Sequence, residues 1–414
     1  MSATSYVGRQ PIFDLRMEPV AYELLFRSAP TGETVGAFPE GHQATARVLV
    51  DGIFDIGLER LIEGKPTFVN MTREYLCREL PMPFGPQHFI LEVLENIELD
   101  DELLVALKSL HEEGYRLAMD DISHWRPRLD DFLPLMEFIK VDVLACPPEA
   151  LPKLVKRLRT YPVTLVAEKV ETWKMFEICK DLDFSLFQGF FLERPRVIEG
   201  GKIPSNRFAL VQTLAKLQDP DAEFDLIEQI IVTDPGLSLK LLRLANSAMY
   251  GLRKQIDSIH QVIVFLGMDT IKDWVSLILL SSYTDKPRAL TTTALMRARH
   301  CQLLAGRMGH PAQARLAFTA GLFSVLDALL DRPLEEILDS LPITAELRAA
   351  LLRREGVVGS LLAAVVALEN WDWGAVEASG LNTFCLQESW IEALDWTNGI
   401  MYEIGLGPKP LGHA

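Results

Sequence analysis

Short apolar runs of strand length alternate with amphipathic helical segments over roughly the first 200 residues. The runs are rich in β-branched and aromatic residues, a pattern typical of buried strands. They lie at 20–26, 66–71, 88–95, 115–121, 138–143, 163–171 and 184–192. Strands that alternate with helices indicate parallel pairing, and seven or eight such units predict a closed β/α barrel rather than an open sheet.

Helical periodicity replaces the strand pattern beyond a Pro- and Gly-containing connector at 195–206. One predicted helix begins at Asp234 and Pro235, because an acidic N-cap followed by proline favours a helix start. Asn246, near the end of that helix, is expected to bond to the backbone rather than to a ligand. The predicted fold class is therefore α/β plus all-α, with a barrel domain at 1–198 and a helical domain at 199–410.

Polar side chains stand at or near the ends of the predicted strands, where a buried strand would ordinarily be apolar. In a β/α barrel these ends converge on one mouth, where active sites are built. The residues are Glu23, Asn70, Glu92, Asp120, Asp121, Lys140, Glu168 and Gln188.

Oxygen ligands dominate this set, without His or Cys, which favours Mg²⁺ or Mn²⁺ over Zn²⁺. Such a cation would suit phosphodiester hydrolysis, with Lys140 steadying a water or developing charge and Glu168 accepting a proton. Arg27, four residues after Glu23, can grip a phosphate through its guanidinium group.

The net charge and the cysteine content indicate which kinds of ligand and which cellular compartment to expect. The formal net charge is −16, which argues against sequence-independent nucleic-acid binding but leaves a small anionic ligand open through a metal ion. Five scattered cysteines without a CxxC pair indicate reduced thiols in a cytoplasmic protein. The sequence predicts neither a signal peptide nor a membrane span.

Seven motif blocks follow one another between about residues 6 and 196. QPIFD with ELLFR is followed by VNMT, LEVLEN, AMDD, IKVD, AEKVET and QGFF. The series resembles the EAL-type cyclic di-GMP phosphodiesterases, with Leu24 at the alanine of the family name. The resemblance implies metal ligands at Glu23, Asn70, Glu92 and Asp120, with Asp121 reaching a second ion. It also assigns Lys140 and Glu168 to the attacking water, Gln188 to support of the site and substrate, and Arg27 to substrate phosphate.

One loop departs from the family pattern. Residues 122–129 read ISHWRPRL, where active members carry a glycine-containing loop that positions metal and couples dimerisation to activity. Glu95, the loop anchor in the family, is present without its usual partner sequence. Lys169 stands at a family glycine and is expected to pair with Glu168 or, preferably, to point to solvent.

The helical half carries DPGLSLKLLRLANSAMYG, within residues 221–275, which resemble HDOD domains. These domains are relatives of HD hydrolases, whose metal is bound by a His-Asp pair. Ser324 and Val325 stand where that pair would be, and His300 is expected to be structural. The resemblance therefore implies a non-catalytic module that binds an unknown protein partner.

Three functions stay open from the sequence. The favoured one is a cyclic di-GMP signalling adaptor whose barrel binds or slowly hydrolyses the nucleotide. The second is an active phosphodiesterase whose HDOD domain sets oligomeric state, a homodimer being one option, or location. The third is a scaffold without catalytic activity. Whether the chain is an enzyme depends on loop 122–129.

Overall fold

The computed structural model of the 414-residue chain describes residues 5–28, 62–80, 82, 85–193, 213–214, 216–217, 223–247, 250, 255–281, 286–339, 341 and 343–407. The chain divides into two compact units, Met1–Arg194 and Pro195–Ala414. The predicted connector at 195–206 lies outside the described residues.

The first unit is a closed barrel of eight strands in sequential order, which confirms the predicted fold class. The strands are β1 (Ser5–Asp14), β2 (Pro19–Ser28), β3 (Thr67–Met71), β4 (Phe89–Val93), β5 (Arg116–Met119), β6 (Phe138–Asp142), β7 (Thr164–Glu168) and β8 (Leu186–Phe187). Strands β2 to β8 pair in parallel.

Strand β1 departs from the predicted parallel pattern, because it runs antiparallel to both β2 and β8. The link from β1 to β2 is a tight turn, too short for the crossover that parallel strands require. The Asp14 carboxylate accepts hydrogen bonds from the backbone N–H groups of Arg16 and Glu18, at 2.8 and 3.0 Å. These contacts close the turn and fix the register of the hairpin.

The helices of this unit pack their apolar faces on the barrel. They are α1 (Arg73–Leu76), α2 (Asp101–Glu112), α3 (Leu129–Phe132), α4 (Leu151–Leu158) and α5 (Trp173–Asp181), with short 3-10 turns at Leu133–Leu135 and Phe191–Glu193. Helix α2 shows why they form: its N-cap, Asp100, accepts from Leu103 N at 2.9 Å, and Leu103, Leu107 and Leu110 are buried.

The barrel interior is built in layers that place the polar residues at one end. The lower layer is apolar and consists of Ile12, Ala21, Phe68, Ile90, Ala118, Phe138, Val166 and Leu186. Since strand side chains alternate between faces, the residue two positions along also points inward. Those residues are Gln10, Glu23, Asn70, Glu92, Asp120, Lys140, Glu168 and Gln188. All eight strands thus contribute to one polar layer above the apolar floor.

The second unit is helical in its described part. Its helices are α6 (Phe224–Val232), α7 (Pro235–Ala245), α8 (Ile259–Leu266), α9 (Met268–Ser281), α10 (Arg288–Arg307), α11 (Ala314–Phe323), α12 (Leu326–Leu330), α13 (Leu334–Asp339), α14 (Ala345–Arg353), α15 (Gly356–Glu369), α16 (Trp373–Ala378) and α17 (Thr383–Glu403), with a 3-10 turn at Pro311–Gln313. Among the described helices, none has an apolar stretch sufficient to span a bilayer.

Two predictions for helix α7 are confirmed. Asp234 caps its start, accepting from the backbone N–H groups of Gly236 and Leu237. Asn246 has the structural role expected of it, because its amide nitrogen donates to the carbonyls of Leu242 and Ile256 and its oxygen accepts from Ile256 N. Asn246 thus ties the helix end to the following segment.

Candidate functional site

The ammonium of Lys140 lies at the centre of a ring of carboxylates in the polar layer. Its side chain is 1% exposed, so its charge must be balanced by neighbouring groups rather than by water. Lys140 Nζ lies 3.1 Å from Glu23 Oε2, 2.6 Å from Glu92 Oε1, 2.9 Å from Asp120 Oδ1 and 2.7 Å from Glu168 Oε1. Four carboxylates that the sequence predicted for the site therefore contact Lys140, which was also predicted.

The ring carries more negative charge than Lys140 can balance. Burial raises the pKa of Glu92 well above its ordinary value and the pKa of Glu168 to about 8, although Lys140 opposes both shifts. Burial alone would lower the pKa of Lys140, but the surrounding carboxylates raise it well above its ordinary value. The lysine therefore stays charged, whereas Glu92 and Glu168 tend to take up protons, and a further cation bound among them would displace those protons.

Two amide side chains hold Glu23 in place. Asn70 Nδ2 donates to Glu23 Oε1 at 3.2 Å, and Gln188 Nε2 donates to Glu23 Oε2 at 2.7 Å. Gln188 Nε2 also lies 2.8 Å from Gln10 Oε1. Because both amides turn their nitrogens to these acceptors, their oxygens are left facing elsewhere in the buried layer.

Several buried oxygens of the polar layer lack hydrogen bonds from the residues that the structure describes. Buried polar atoms in folded proteins nearly always have partners, so such groups call for an ion or water. Within the described part of the barrel, four oxygens of the polar layer neither accept a hydrogen bond nor pair with Lys140: Asn70 Oδ1, Glu92 Oε2, Glu168 Oε2 and Gln188 Oε1. A set of hard oxygen donors fits Mg²⁺ or Mn²⁺. We call these four atoms the inner oxygens.

A second acidic group lies nearer the surface. Among the described residues, ligand atoms of Glu95, Asp120 and Asp121 lie within 4.8 Å of one another. The side chain of Lys169, the residue after β7, contacts this acidic group and also Asp142. Its Nζ is 2.9 Å from Asp121 Oδ1 and 2.5 Å from Asp142 Oδ2. Lys169 is exposed, as the preferred expectation had it, but its ammonium pairs with Asp121 and Asp142 and not with Glu168, because the turn after β7 directs its side chain towards Asp121.

A cavity of about 410 Å³ opens above the polar layer. Its walls combine the charged ring with apolar side chains that include Leu25, Leu94, Leu144 and Phe190. Such a mixture suits a ligand with apolar surfaces, and an anionic group would need a bound cation to offset the acids. Arg27 belongs to β2, opposite Tyr6 of β1, but its side chain is outside the described residues, so its phosphate contact stays a prediction.

Loop 122–129 is held by side chains of its own. Trp125 Nε1 donates to Asp130 Oδ2 at 3.2 Å, and the Arg157 guanidinium carbon lies 3.5 Å from the centre of the Trp125 ring. The Arg126 guanidinium donates to the backbone carbonyl of Glu95. The predicted anchor, Glu95, therefore contacts the loop through its backbone, while its carboxylate lies beside Asp120.

Gly189 keeps the last strand end close to the turn after β7. Its φ is +142°, and a Cβ at this position would lie 2.2 Å from the carbonyl oxygen of Val170. Val170 N in turn donates to Gln188 O at 3.0 Å. The glycine thus permits the close approach that positions Gln188.

Gly189→Ala is expected to lower the free energy of unfolding of the barrel by about 3 kcal/mol, since backbone strain and overlap with Val170 act together. Gly114→Ala is the matched control, because Gly114 has a φ of +92° but no atom within 4 Å of an added Cβ; strain alone should cost about 1 kcal/mol. Urea unfolding of both variants measures the difference. Equal losses would show that the overlap is relieved by a shift of the backbone.

Two residues of the site were missed by the sequence prediction. Gln10 lies opposite Glu23 in the β1–β2 pairing, and Asp142 lies opposite Glu168 in the β6–β7 pairing. Asp142 Oδ1 accepts from the backbone N–H groups of Leu144 and Ala145, at 2.9 and 2.8 Å. A signal for Asp142 was available, because it ends β6 as Glu168 ends β7.

In the second unit, His300, Ser324 and Val325 have the structural surroundings expected of residues that do not bind a metal ion. His300 is 1% exposed and its Nε2 lies 2.9 Å from Leu386 O; burial lowers its pKa to about 4. Ser324 Oγ donates to Gly321 O, and Val325 is buried. In the described part of this unit, no three His, Cys, Asp or Glu side chains gather closely enough to bind a metal ion.

Comparison with known proteins covers both units. The HDOD domain family matches residues 203–330. The chain is 33% identical over 407 residues to cyclic di-GMP phosphodiesterase CdgJ of Vibrio cholerae serotype O1, which spans 96% of this chain and 93% of CdgJ. It is 32% identical over 406 residues to the uncharacterized protein YuxH of Bacillus subtilis strain 168, spanning 96% of this chain and 98% of YuxH.

A solved structure resembles part of the chain. BlrP1 of Klebsiella pneumoniae, in a calcium and cyclic di-GMP complex, is 22% identical, covers 45% of this chain and 54% of its own, and has a TM-score of 0.37. At that TM-score the likeness has no bearing on what the site does.

Proposed function

The chain belongs to the family of two-domain proteins that join an EAL-type barrel to an HDOD domain, and on that premise we propose that its barrel binds cyclic di-GMP with Mg²⁺ or Mn²⁺ and hydrolyses it. The substrate is suggested by CdgJ, a relative over nearly the whole chain whose name states that activity. The metal is suggested by the site itself.

One observation carries the proposal: buried inner oxygens without hydrogen bonds lie in a ring of acids that Lys140 only partly balances. Glu23 and Asp120 extend the donor set around them. When bound, a divalent cation offsets phosphate charge and lowers the pKa of a bound water. The residues that would hold it are Asn70 and Glu92, through their inner oxygens, with Glu23 and Asp120. The inner oxygens of Glu168 and Gln188 are left for the water and the substrate, and Asp121 is reserved in the predicted set for a second ion.

Glu168 is the group best placed to move a proton. Its Oε1 is held 2.7 Å from Lys140 Nζ, while its Oε2 accepts no hydrogen bond from the described residues. In the reaction a water oxygen bonds to phosphorus and one of the two phosphodiester P–O bonds breaks. The proton lost by the water goes to Glu168, and the leaving oxygen takes a proton from solvent water to become the hydroxyl of a linear dinucleotide. Lys140 steadies the negative charge that develops, and Gln188 orients Glu23.

The test is turnover and binding measured on the same full-length protein. We expect a linear dinucleotide to form from cyclic di-GMP in Mg²⁺ or Mn²⁺ but not in EDTA, and calorimetry to detect nucleotide binding in Ca²⁺. Glu168→Gln should reduce turnover by about 10²–10⁴-fold while keeping binding, as expected for loss of a general base. Glu112→Gln is the matched control, since Glu112 is an exposed residue at the end of α2.

A receptor is the second candidate, favoured by the way Trp125 and Arg126 fasten loop 122–129 in place of a glycine-containing loop. Metal-dependent binding without turnover would support the receptor. Neither binding nor turnover would leave a scaffold and contradict the proposal.

The HDOD unit is proposed to be a non-catalytic module that binds a protein partner and responds to occupancy of the barrel. The buried Val325 supports this, because valine cannot bind a metal. Five free cysteines fit a reducing compartment, so we propose a cytoplasmic location. Hydrogen exchange in α6 to α17 with and without cyclic di-GMP tests the coupling; unchanged exchange throughout these helices would contradict it.

A further inference from the structure

Lys169 occupies a backbone conformation that lysine seldom adopts. It follows the last residue of β7 with a φ of +57°, in the left-handed region that favours glycine. Asp121, its partner across the mouth, also has a positive φ, +49°. Strained residues persist where the surroundings determine them, often at functional sites. The contacts of Lys169 should therefore offset the strain of its backbone.

These contacts fix the ammonium between two acids. Asp142 is 7% exposed, and its Oδ1 is held by two backbone N–H groups, so its Oδ2 has a set position. Lys169 Nζ lies 2.5 Å from that Oδ2 and 2.9 Å from Asp121 Oδ1. The ammonium is thus tied to the acidic group of Glu95, Asp120 and Asp121, and not to the inner oxygens below.

The Lys169 ammonium beside Asp121 changes what the group of Glu95, Asp120 and Asp121 can bind. We call these three residues the outer acids. Asp121 Oδ1 is already engaged by Lys169, so a divalent cation that the outer acids bind through Asp121 would have to displace this ammonium or share the carboxylate with it. Lys169 pairs with Asp121 and Asp142 and not with Glu23, Glu92 or Asp120, which are proposed ligands of the first ion. Building on the proposed metal-dependent function, we propose that Lys169 supplies the cation at Asp121, so that the barrel holds one divalent ion, at the proposed ligands Glu23, Asn70, Glu92 and Asp120, together with a fixed ammonium.

This assignment gives Lys169 a positioning role. It orients Asp121 and leaves the mouth less negative than the acidic residues alone would make it. Because the lysine side chain is 47% exposed, its ammonium also remains within reach of an anionic group of a ligand in the cavity. A tethered ammonium cannot be removed by a chelator, unlike a second metal ion.

The experiment counts bound Mn²⁺ on the full-length protein, by calorimetry and by electron paramagnetic resonance of free Mn²⁺. We expect one ion per chain for the wild type and for Lys169→Arg, which keeps the charge. Lys169→Gly removes the charge and suits the backbone, and it should bind two ions, the second more weakly. Lys174→Met, at an exposed lysine of α5, is the control and should bind one.

Two ions in the wild type would overturn the assignment, and so would one ion in Lys169→Gly. Lys169→Asn provides a second neutral variant, because asparagine tolerates the left-handed region, and it should give the same count as Lys169→Gly. Absence of Mn²⁺ binding from the wild type and every variant would instead overturn the proposed metal-dependent function on which this assignment rests.

Discussion

Lys140→Met is expected to lower the free energy of unfolding of the barrel by about 3–5 kcal/mol when divalent cations are chelated. The reason is that Lys140 is the ammonium at the centre of the ring, in contact with four carboxylates. Methionine fills a similar volume but leaves those buried charges without their counter-charge. Native-state hydrogen exchange of β4 to β7 in EDTA measures the loss within the barrel itself.

Divalent cations should restore part of this stability, because a ligand that binds the folded state stabilises it by mass action. Mg²⁺ or Mn²⁺ should therefore slow exchange more in Lys140→Met than in Lys156→Met, a control at an exposed lysine of α4. A Lys140→Met protein as stable as the wild type in EDTA would show that the ring is balanced by protonation instead.

Glu92→Gln should weaken Mn²⁺ binding by about 100-fold or more, in line with the loss of a metal ligand rather than of a supporting group. Glu92 is fully buried, and its Oε2 is one of the inner oxygens. An amide nitrogen in that place cannot bind a cation, while the remaining oxygen can still face Lys140. Titration with Mn²⁺ measures the affinity, and cyclic di-GMP binding should fall in parallel.

The stability of the same variant in EDTA distinguishes a binding role from a structural one. Removing one charge from an overcharged ring should leave the free energy of unfolding unchanged or raise it, as often found when functional residues are replaced. Glu112→Gln should leave both properties unchanged. Wild-type Mn²⁺ affinity in Glu92→Gln would remove Glu92 from the site.

The fold was predictable where local pattern and tertiary environment agree. Strands β2 to β8 are apolar runs buried inside the barrel, and α2 buries the three leucines that share its face. Strand β1 was missed because its buried residues, Val7, Ile12 and Phe13, are separated by Arg9 and other residues without strand-like alternation. Its antiparallel direction follows from a tight turn, which hydrophobic periodicity does not report.

Most residues of the site could be predicted from the sequence for a simple geometric reason. A residue two positions beyond an inward apolar residue also points inward, so polar residues at that spacing on separate strands must meet above the apolar layer. Phe138 and Lys140 show this spacing on β6, as do Ile90 and Glu92 on β4. The same spacing applied to β1 would have found Gln10, beside Ile12.

The sequence by itself determined which strands carry oxygen ligands and that their ends share one mouth, because alternation along a strand is a local property. Only the tertiary structure decided which charges pair there. Among the residues that the structure describes, Lys140 is the cation in contact with the ring, and Lys169 turns to Asp121 and Asp142. These pairings join residues far apart in the chain, and they depend on distances of a few ångströms that barrel closure and the turn after β7 set.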